Sequence, residues 1–432
     1  MHSFHYRDGN LHCEEVKLED VANEFGTPLY VYSAGTVLDH YRRLDSALAS
    51  IDHLICYAVK ANSNRAILKL LAREHSGFDI VSGGELFRVL AAGGDPQKCT
   101  FAGVGKADQE IEYALEQGVF SFNVESATEL DHINRIAKRR GVRAPIALRI
   151  NPDVDAGTHR YVSTGRSENK FGIALNAVTS IYERAAQLSN LQIRGIQMHI
   201  GSQITDTTPF VEAIAKVTPL VLELRGRFGL EFFSVGGGIG IVYESSFASG
   251  KAEWWNEAAR VRATATLPLT IEEYAAAILP LLRTTGLRVL VEPGRLLVGN
   301  AGVLLTRVRY LKQTDQKKFV IVDAGMNDLI RPALYQSYHE IVPTRERKDS
   351  QPELVDVVGP VCESGDFFAQ ERPLAPAKEG DLLALMSAGA YGFVMASNYN
   401  SRPLPAEVLV SGKDFSLIRQ RQTIEDLVRG EV

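Results

Sequence analysis

The chain has 432 residues with 47 Lys+Arg against 52 Asp+Glu, so its formal net charge is −5. Hydrophobic residues make up 45% and charged ones 23%, enough apolar matter to bury a core and too much for a disordered chain. A mildly acidic chain without a basic stretch is a poor ligand for nucleic acid.

TPLYVYS (27–33) is strand-like and precedes a first helix; it fits either half of the chain. Strand patterns then follow at 54–62, 78–82, 99–103, 122–126, 146–152, 193–202, 232–240 and 288–295. Between them, 65–75, 84–93, 107–118, 127–141, 209–229 and 271–282 place apolar residues at i, i+3 and i+4, with glycine ends suited to C-caps. Eight strand units alternating with helices, over roughly 250 residues, predict a closed (β/α)8 barrel of the TIM type rather than an open doubly wound sheet. The rhythm changes after about residue 300, where VLLTRVRYLKQ, KKFVIVDAG, ELVDVVGPVCES, DLLALMSAGAYG and AEVLVSG read as strands of an all-β domain. The stretch 244–270, with Trp254 and Trp255, is a long insertion that reads either as a lid or as cover for an apolar surface.

Cys13, Cys56, Cys99 and Cys362 contain no CxxC pair, so neither a disulfide framework nor a zinc ribbon is expected, and no metal site. MHSFHYRDGN lacks a secretory apolar region. YAAAILPLL (274–282) falls far short of the roughly 20 residues that span a bilayer. A cytoplasmic chain with no membrane partner is the expectation.

In such barrels the chemistry lies where strands end. Strand one ends in Lys60; strand two holds Asp79, with Glu85 beyond it; strand six ends in His199 and Ser202. Strand seven ends in Gly236, Gly237 and Gly238, and strand eight in Glu292, Gly294 and Arg295. Lys60 fits either a structural bridge to Asp79 or a Schiff base to a carbonyl, which needs its neutral amine. The glycine run is either a tight turn or a place where backbone N–H groups approach a phosphate, with Ser202 and the backbone near Gly294 and Arg295 as further donors. Buried Glu292 calls for a positive partner; Arg295 offers an ion pair, and a cofactor's pyridine nitrogen is the other candidate. His199 is either a satisfied core residue or a flat neighbour for that ring. In the all-β half, Cys362 is either an inert thiol or, flanked by acidic Glu363 and Asp366, a proton donor rather than a nucleophile.

YAVKAN (57–62), GFDIVSGGE (77–85), HIGSQ (199–203), GGGIG (236–240), EPGR (292–295), CESGDFF (362–368) and GAYGF (389–393) together resemble the fold-type III pyridoxal-phosphate decarboxylases along nearly the whole chain. The resemblance implies the alanine racemase/ornithine decarboxylase architecture. That is a pyridoxal-phosphate-binding barrel over 34–300, and a Greek-key-like β-barrel domain from 1–33 and 301–432. It implies a homodimer with shared active sites. By the same resemblance Lys60 binds the cofactor covalently, Asp79 lies in the cofactor site and His199 stacks on the ring. Glu292 meets the pyridine nitrogen, and Tyr391 touches both the cofactor and the substrate. Ser202, Gly236, Gly237, Gly238, Gly294 and Arg295 hold the phosphate. Cys362, from the partner subunit, protonates the decarboxylated carbon.

The implied reaction is decarboxylation of meso-2,6-diaminopimelate to L-lysine and carbon dioxide, the last step of lysine biosynthesis. RPALY spaces Arg331 and Tyr335 four apart, on one face of a helical turn. The resemblance sends both, with Arg295, to the distal carboxylate, and Glu363 to the distal ammonium. A relative acting on ornithine, arginine or carboxynorspermidine is the nearest alternative. A racemase is disfavoured because its matching residue is arginine rather than Glu292, and a non-catalytic homologue because Lys60 and Cys362 are both present.

Overall fold

A computed structural model describes the chain except residues 156–169, 262–267 and 349. It forms two compact units, Met1–Asp39 with Val242–Ala265 and Leu297–Val432, and His40–Ile241 with Thr266–Leu296.

The second unit is built on eight parallel strands. These are β1 (His53–Ala58), β2 (Gly77–Ile80), β3 (Cys99–Phe101), β4 (Ser121–Val124), β5 (Ala144–Asn151), β6 (Leu191–Met198), β7 (Phe232–Ser234) and β8 (Arg288–Val291). Each pairs with the next, and β8 pairs with β1, so the sheet closes into the TIM-type barrel. All eight fall within or beside the predicted runs. The predictions overran because ladder pairing stops early: β1 gives way to a 3-10 turn at Val59–Ala61, and beyond Phe232–Ser234 the run to 240 is held only by an isolated bridge between Ile239 and Ile204.

Helices α1 (Ala34–Leu48), α2 (Arg65–Arg73), α3 (Gly83–Ala91), α4 (Asp108–Gln117), α5 (Ala127–Arg140), α6 (Leu175–Gln187), α7 (Thr208–Phe228) and α8 (Ile271–Thr285) alternate with the strands. Their starts follow capping chemistry. Asn64, Ser82, Ser126 and Thr270 accept a backbone N–H of the first turn of α2, α3, α5 and α8, and Glu273 closes a capping box with Thr270. Gly118, Gly141, Gly229 and Gly286 end α4, α5, α7 and α8 in the left-handed conformation, as the sequence predicts. Helix α6 was missed, because LNAVTSIYERAAQ is rich in small and β-branched residues that blur its periodicity.

Strand register decides what faces the barrel axis. Leu54, Cys56, Phe120, Ala147, Phe232 and Leu290 make a buried apolar cluster. Parallel pairs share a face, so two residues further on the inward positions turn polar. Asp79, two beyond the partner of Cys56, pairs Thr100, and Arg149, two beyond Ala147, pairs Gln197, which pairs Ser234. Gly195 is glycine because a Cβ there would lie 2.5 Å from the Phe232 ring. Gly195→Ala is therefore expected to overpack the barrel by about 1–3 kcal/mol, read as a lower urea midpoint at unchanged slope.

The first unit is β-rich. Its main sheet runs in the order Phe367–Leu374, Glu353–Val358, Lys318–Val322, Gly302–Gln313, Leu29–Ser33, Ala406–Ser411, Asp414–Arg419. The undecided strand at 27–33 thus belongs here, antiparallel to Gly302–Leu305 and parallel to Ala406–Val410. A short helix, Arg331–Tyr335, interrupts the strands. Within the 244–270 insertion, Ala252–Val261 is helical, and residues 262–267 lie outside the described set. Trp254 and Trp255 meet edge to face at 5.0 Å, and Trp255 Nε1 donates to the Ser249 carbonyl. Among the described residues no helix is long and apolar enough to cross a membrane.

Candidate active site

Lys60 sits in the single 3-10 turn Val59–Ala61 that ends β1. Its Nζ donates to Asp79 Oδ2 at 2.5 Å; the lysine side chain is 40% exposed and Asp79 is 1% exposed. An ammonium open to the barrel mouth is thus anchored on a buried carboxylate of β2. The other oxygen, Asp79 Oδ1, is buried with no hydrogen-bond partner among the described residues, as are Thr100 Oγ1 on β3 and both amide atoms of Asn123 on β4. Buried polar atoms are normally satisfied, and Asp79 Oδ1, beside Lys60, offers an acceptor to a polar guest.

Glu292 follows β8 and is 6% exposed. An ion pair with Arg295, three residues on, is not what the structure shows. Glu292 Oε1 accepts from Ser234 Oγ at 2.6 Å and Oε2 from Gln197 Nε2 at 3.0 Å, whereas Arg295 Nη2 donates to Ser202 Oγ at 3.1 Å. Burial, then the nearby charge of Asp79, raises the Glu292 carboxyl to about 7, opposed by Ser234, Lys60 and Gln197.

His199 follows β6. Its Nδ1 accepts the Gly237 N–H at 3.2 Å, so the neutral ring carries its proton on Nε2. Burial, then Arg149 and Lys60, lowers its pKa and keeps it neutral. Arg149 on β5 is itself buried, paired with Glu125 Oε1 at 2.9 Å and lying 4.8 Å from the Phe171 ring centre.

The glycine run does more structural work than its sequence implies. A Cβ on Gly236 would lie 2.5 Å from the Met198 carbonyl oxygen, on Gly237 2.1 Å from that of Glu292, and on Gly238 2.3 Å from that of Gly201. These glycines let the loops after β6, β7 and β8 touch. The Gly236 and Gly237 N–H groups donate within the protein, to Ser234 Oγ and His199 Nδ1. Those of Gly238 and Ile239 take no acceptor among the described residues. Glu85 belongs to the start of α3, where its carboxylate accepts the Val81 N–H and its own N–H donates to Ser82.

The β-rich unit holds the remaining candidates. Arg331 is 5% exposed; its guanidinium donates to Tyr243 Oη at 2.6 Å and Ser337 Oγ at 3.3 Å, and lies 4.7 Å from the Tyr243 ring centre. His339 donates from Nδ1 to the Met386 carbonyl, leaving Nε2 to accept from Arg331 at 3.4 Å. Tyr335 ends the same short helix. Cys362 is exposed, its N–H held by Asn400, and Glu363 accepts from Tyr399 Oη at 2.8 Å. Asp366 points away from that pair, into the N–H groups of Met326 and Val361. Tyr391 has φ +56°, a left-handed conformation costing a non-glycine residue about 1–2 kcal/mol. Sequence reasoning missed Gln197, Ser234, Arg149, Tyr243 and His339. The first two stand two positions before His199 and Gly236, so strand alternation alone puts them on the same face.

A closed parallel barrel with an anchored lysine after its first strand and a buried carboxylate after its last defines a cofactor-binding enzyme site. Residues 34–299 match the family model described as pyridoxal-dependent decarboxylase, pyridoxal binding domain. A curated diaminopimelate decarboxylase of Pseudomonas aeruginosa is 50% identical over 432 residues, 100% of this chain and 99% of that protein. The crystal structure of diaminopimelate decarboxylase from Helicobacter pylori complexed with L-lysine superposes with a TM-score of 0.87 at 40% identity, covering 96% of this chain and 98% of that one. That from M. jannaschii in co-complex with L-lysine gives 0.90 at 36% identity, covering 100% and 98%. The chain belongs to the pyridoxal-dependent decarboxylase family and, within it, to the diaminopimelate decarboxylases.

Its cofactor is pyridoxal phosphate, and the residues present fit that group. An amine reaches the mouth at Lys60, two backbone N–H groups are available at Gly238 and Ile239 for an anion, and Glu292 offers a buried carboxyl able to hold or release a proton near neutrality.

Proposed function

We propose that this protein decarboxylates meso-diaminopimelate to L-lysine and carbon dioxide, as the last step of lysine biosynthesis in the cytoplasm. We propose further that it works as a homodimer in which each copy gives Cys362 and Glu363 to the other's active site. The observation that carries the reaction type is the pairing of the accessible Lys60 amine with buried Asp79, both close enough to buried Glu292 to act on its charge. Bound pyridoxal phosphate supplies a carbonyl for an amine and a ring that takes up the electron pair left when carbon dioxide departs.

The chain's own residues do the rest. Asp79 Oδ2, 2.5 Å from Lys60 Nζ, holds the amine at the mouth, where its neutral form is the nucleophile. His199 stays neutral and offers a flat face. Glu292 keeps a proton at the ring-nitrogen end of the site. Gly238, Ile239, Ser202, Gly294 and Arg295 bind the phosphate, while Gly236 and Gly237 shape that loop. Tyr391 touches the cofactor. Arg331, Tyr335 and Arg295 take the distal carboxylate, Glu363 the distal ammonium, and Cys362 delivers a proton to the carbon that lost its carboxylate.

The test is release of lysine and carbon dioxide by purified protein with pyridoxal phosphate and meso-diaminopimelate, with ornithine assayed in parallel. Turnover of meso-diaminopimelate alone is expected. Turnover of ornithine, or of neither, overturns the substrate assignment.

A further inference from the structure

We propose that Ser234 and Gln197 are positioning residues: a pair of neutral donors on neighbouring strands that clamps both oxygens of Glu292 and sets its plane toward the bound cofactor. Gln197 on β6 and Ser234 on β7 are register partners, and Ser234 pairs in turn with Leu290, two positions before Glu292 on the β8 side. All three side chains therefore face the same part of the barrel interior, and they are 1%, 0% and 6% exposed for Gln197, Ser234 and Glu292.

The clamp has a defined direction. The Gly236 N–H donates to Ser234 Oγ at 3.3 Å, which turns the hydroxyl proton toward Glu292 Oε1, 2.6 Å away. The Glu292 N–H returns a bond to the Gly236 carbonyl at 2.8 Å. The loop after β7 and the residue after β8 thus fix each other, with Ser234 as the joint. Gln197 fixes the second oxygen at 3.0 Å.

Neutrality is the point of this arrangement. A guanidinium at this place would hold Glu292 permanently ionised. Two uncharged donors fix the carboxyl's orientation while leaving it able to take a proton. The charged and titratable groups facing it are Asp79 of β2, which pushes its proton affinity up, and Lys60 after β1, which pulls it down; the buried Cys56 thiol of β1 lies within reach of its field. Both clamp bonds favour the ionised form, so removing either one raises the pH at which Glu292 loses its proton.

This inference rests on the cofactor and not on the identity of the substrate, so its test omits substrate. Ser234→Ala and Gln197→Met holoenzymes are titrated from pH 5 to 9 by the visible absorbance of the bound cofactor, and pyridoxal phosphate affinity is measured on the same proteins. The midpoint is expected to rise by about one to two pH units in each, the scale of one hydrogen bond to a charged group, with weaker cofactor binding. Ser234→Thr, which keeps a hydroxyl, should bring the midpoint back and guards against a variant that merely misfolds. Midpoints within 0.2 unit of wild type, in either donor-less variant with normal cofactor affinity, overturn the proposal. A wild-type protein that binds no pyridoxal phosphate overturns it together with the proposed function, whereas failure on meso-diaminopimelate alone leaves it standing.

Discussion

Lys60→Ala is expected to abolish turnover and colour together while leaving the barrel folded. Lys60 is the accessible amine of the inward layer that is anchored on Asp79, and its nitrogen is 2.5 Å from that carboxylate. Losing it removes both a nucleophile and a proton carrier, and proton transfer by one positioned side chain alone is worth about 10²–10⁴-fold. The loss in kcat/KM should therefore be at least of that order. Asp79, 1% exposed, is left without its cation, and an unpaired buried carboxylate is costly. The cost in stability is moderated because the lysine is 40% exposed and water reaches the vacated place. Borohydride treatment, which fixes the cofactor to wild-type Lys60, should leave the variant unlabelled, and far-UV circular dichroism should be unchanged. A variant that is still labelled, or that turns over within tenfold of wild type, would remove Lys60 from the mechanism.

How far such a site could be read in advance follows from what each residue's neighbours are. Lys60, His199 and Glu292 were legible because a charged or titratable side chain at the end of an apolar run is rare without a task. The barrel was legible because its eight strands and most of its helices keep their periodicity. Partnerships were not. The nearest cation in sequence to Glu292 is Arg295, three residues on, yet successive residues after a strand diverge and Arg295 turns to Ser202. The true partners are 95 and 58 residues away, on strands brought alongside only by barrel closure. The glycine run shows the same limit. Its composition suggests close approach to a phosphate but does not reveal that each glycine also makes way for a carbonyl of two other loops. Helix α6 and the strands Ile341–Pro343, Phe367–Leu374 and Asp414–Arg419 escaped because their patterns are weak and depend on tertiary pairing.

Arg331→Ala is expected to lose meso-diaminopimelate while keeping the cofactor. The two amino acids that such a site must tell apart differ at the far end, where meso-diaminopimelate carries a carboxylate and ornithine none. A guanidinium fork suits a carboxylate, and Arg331 is held like a tool rather than left to solvent: 5% exposed, bonded to Tyr243 Oη at 2.6 Å and backed by that ring at 4.7 Å. His339 keeps its Nε2 lone pair toward Arg331 by giving its Nδ1 proton to the Met386 carbonyl, so it stays an acceptor there. Breaking a buried ionic pairing by removing one partner costs about 3–5 kcal/mol, which corresponds to about 10²–10⁴-fold in kcat/KM. The visible band of the holoenzyme should be unchanged, since Arg331 is assigned to substrate and not to cofactor. Arg331→Lys should recover only part of the loss, because an ammonium supplies a point charge without the bidentate fork. Ornithine should gain nothing from either change, as it has no carboxylate for the arginine to hold. If Arg331→Ala keeps kcat/KM for meso-diaminopimelate within threefold of wild type, the distal carboxylate is bound elsewhere and the specificity argument built on Arg331 and Tyr335 fails, although the decarboxylation chemistry at Lys60 would stand.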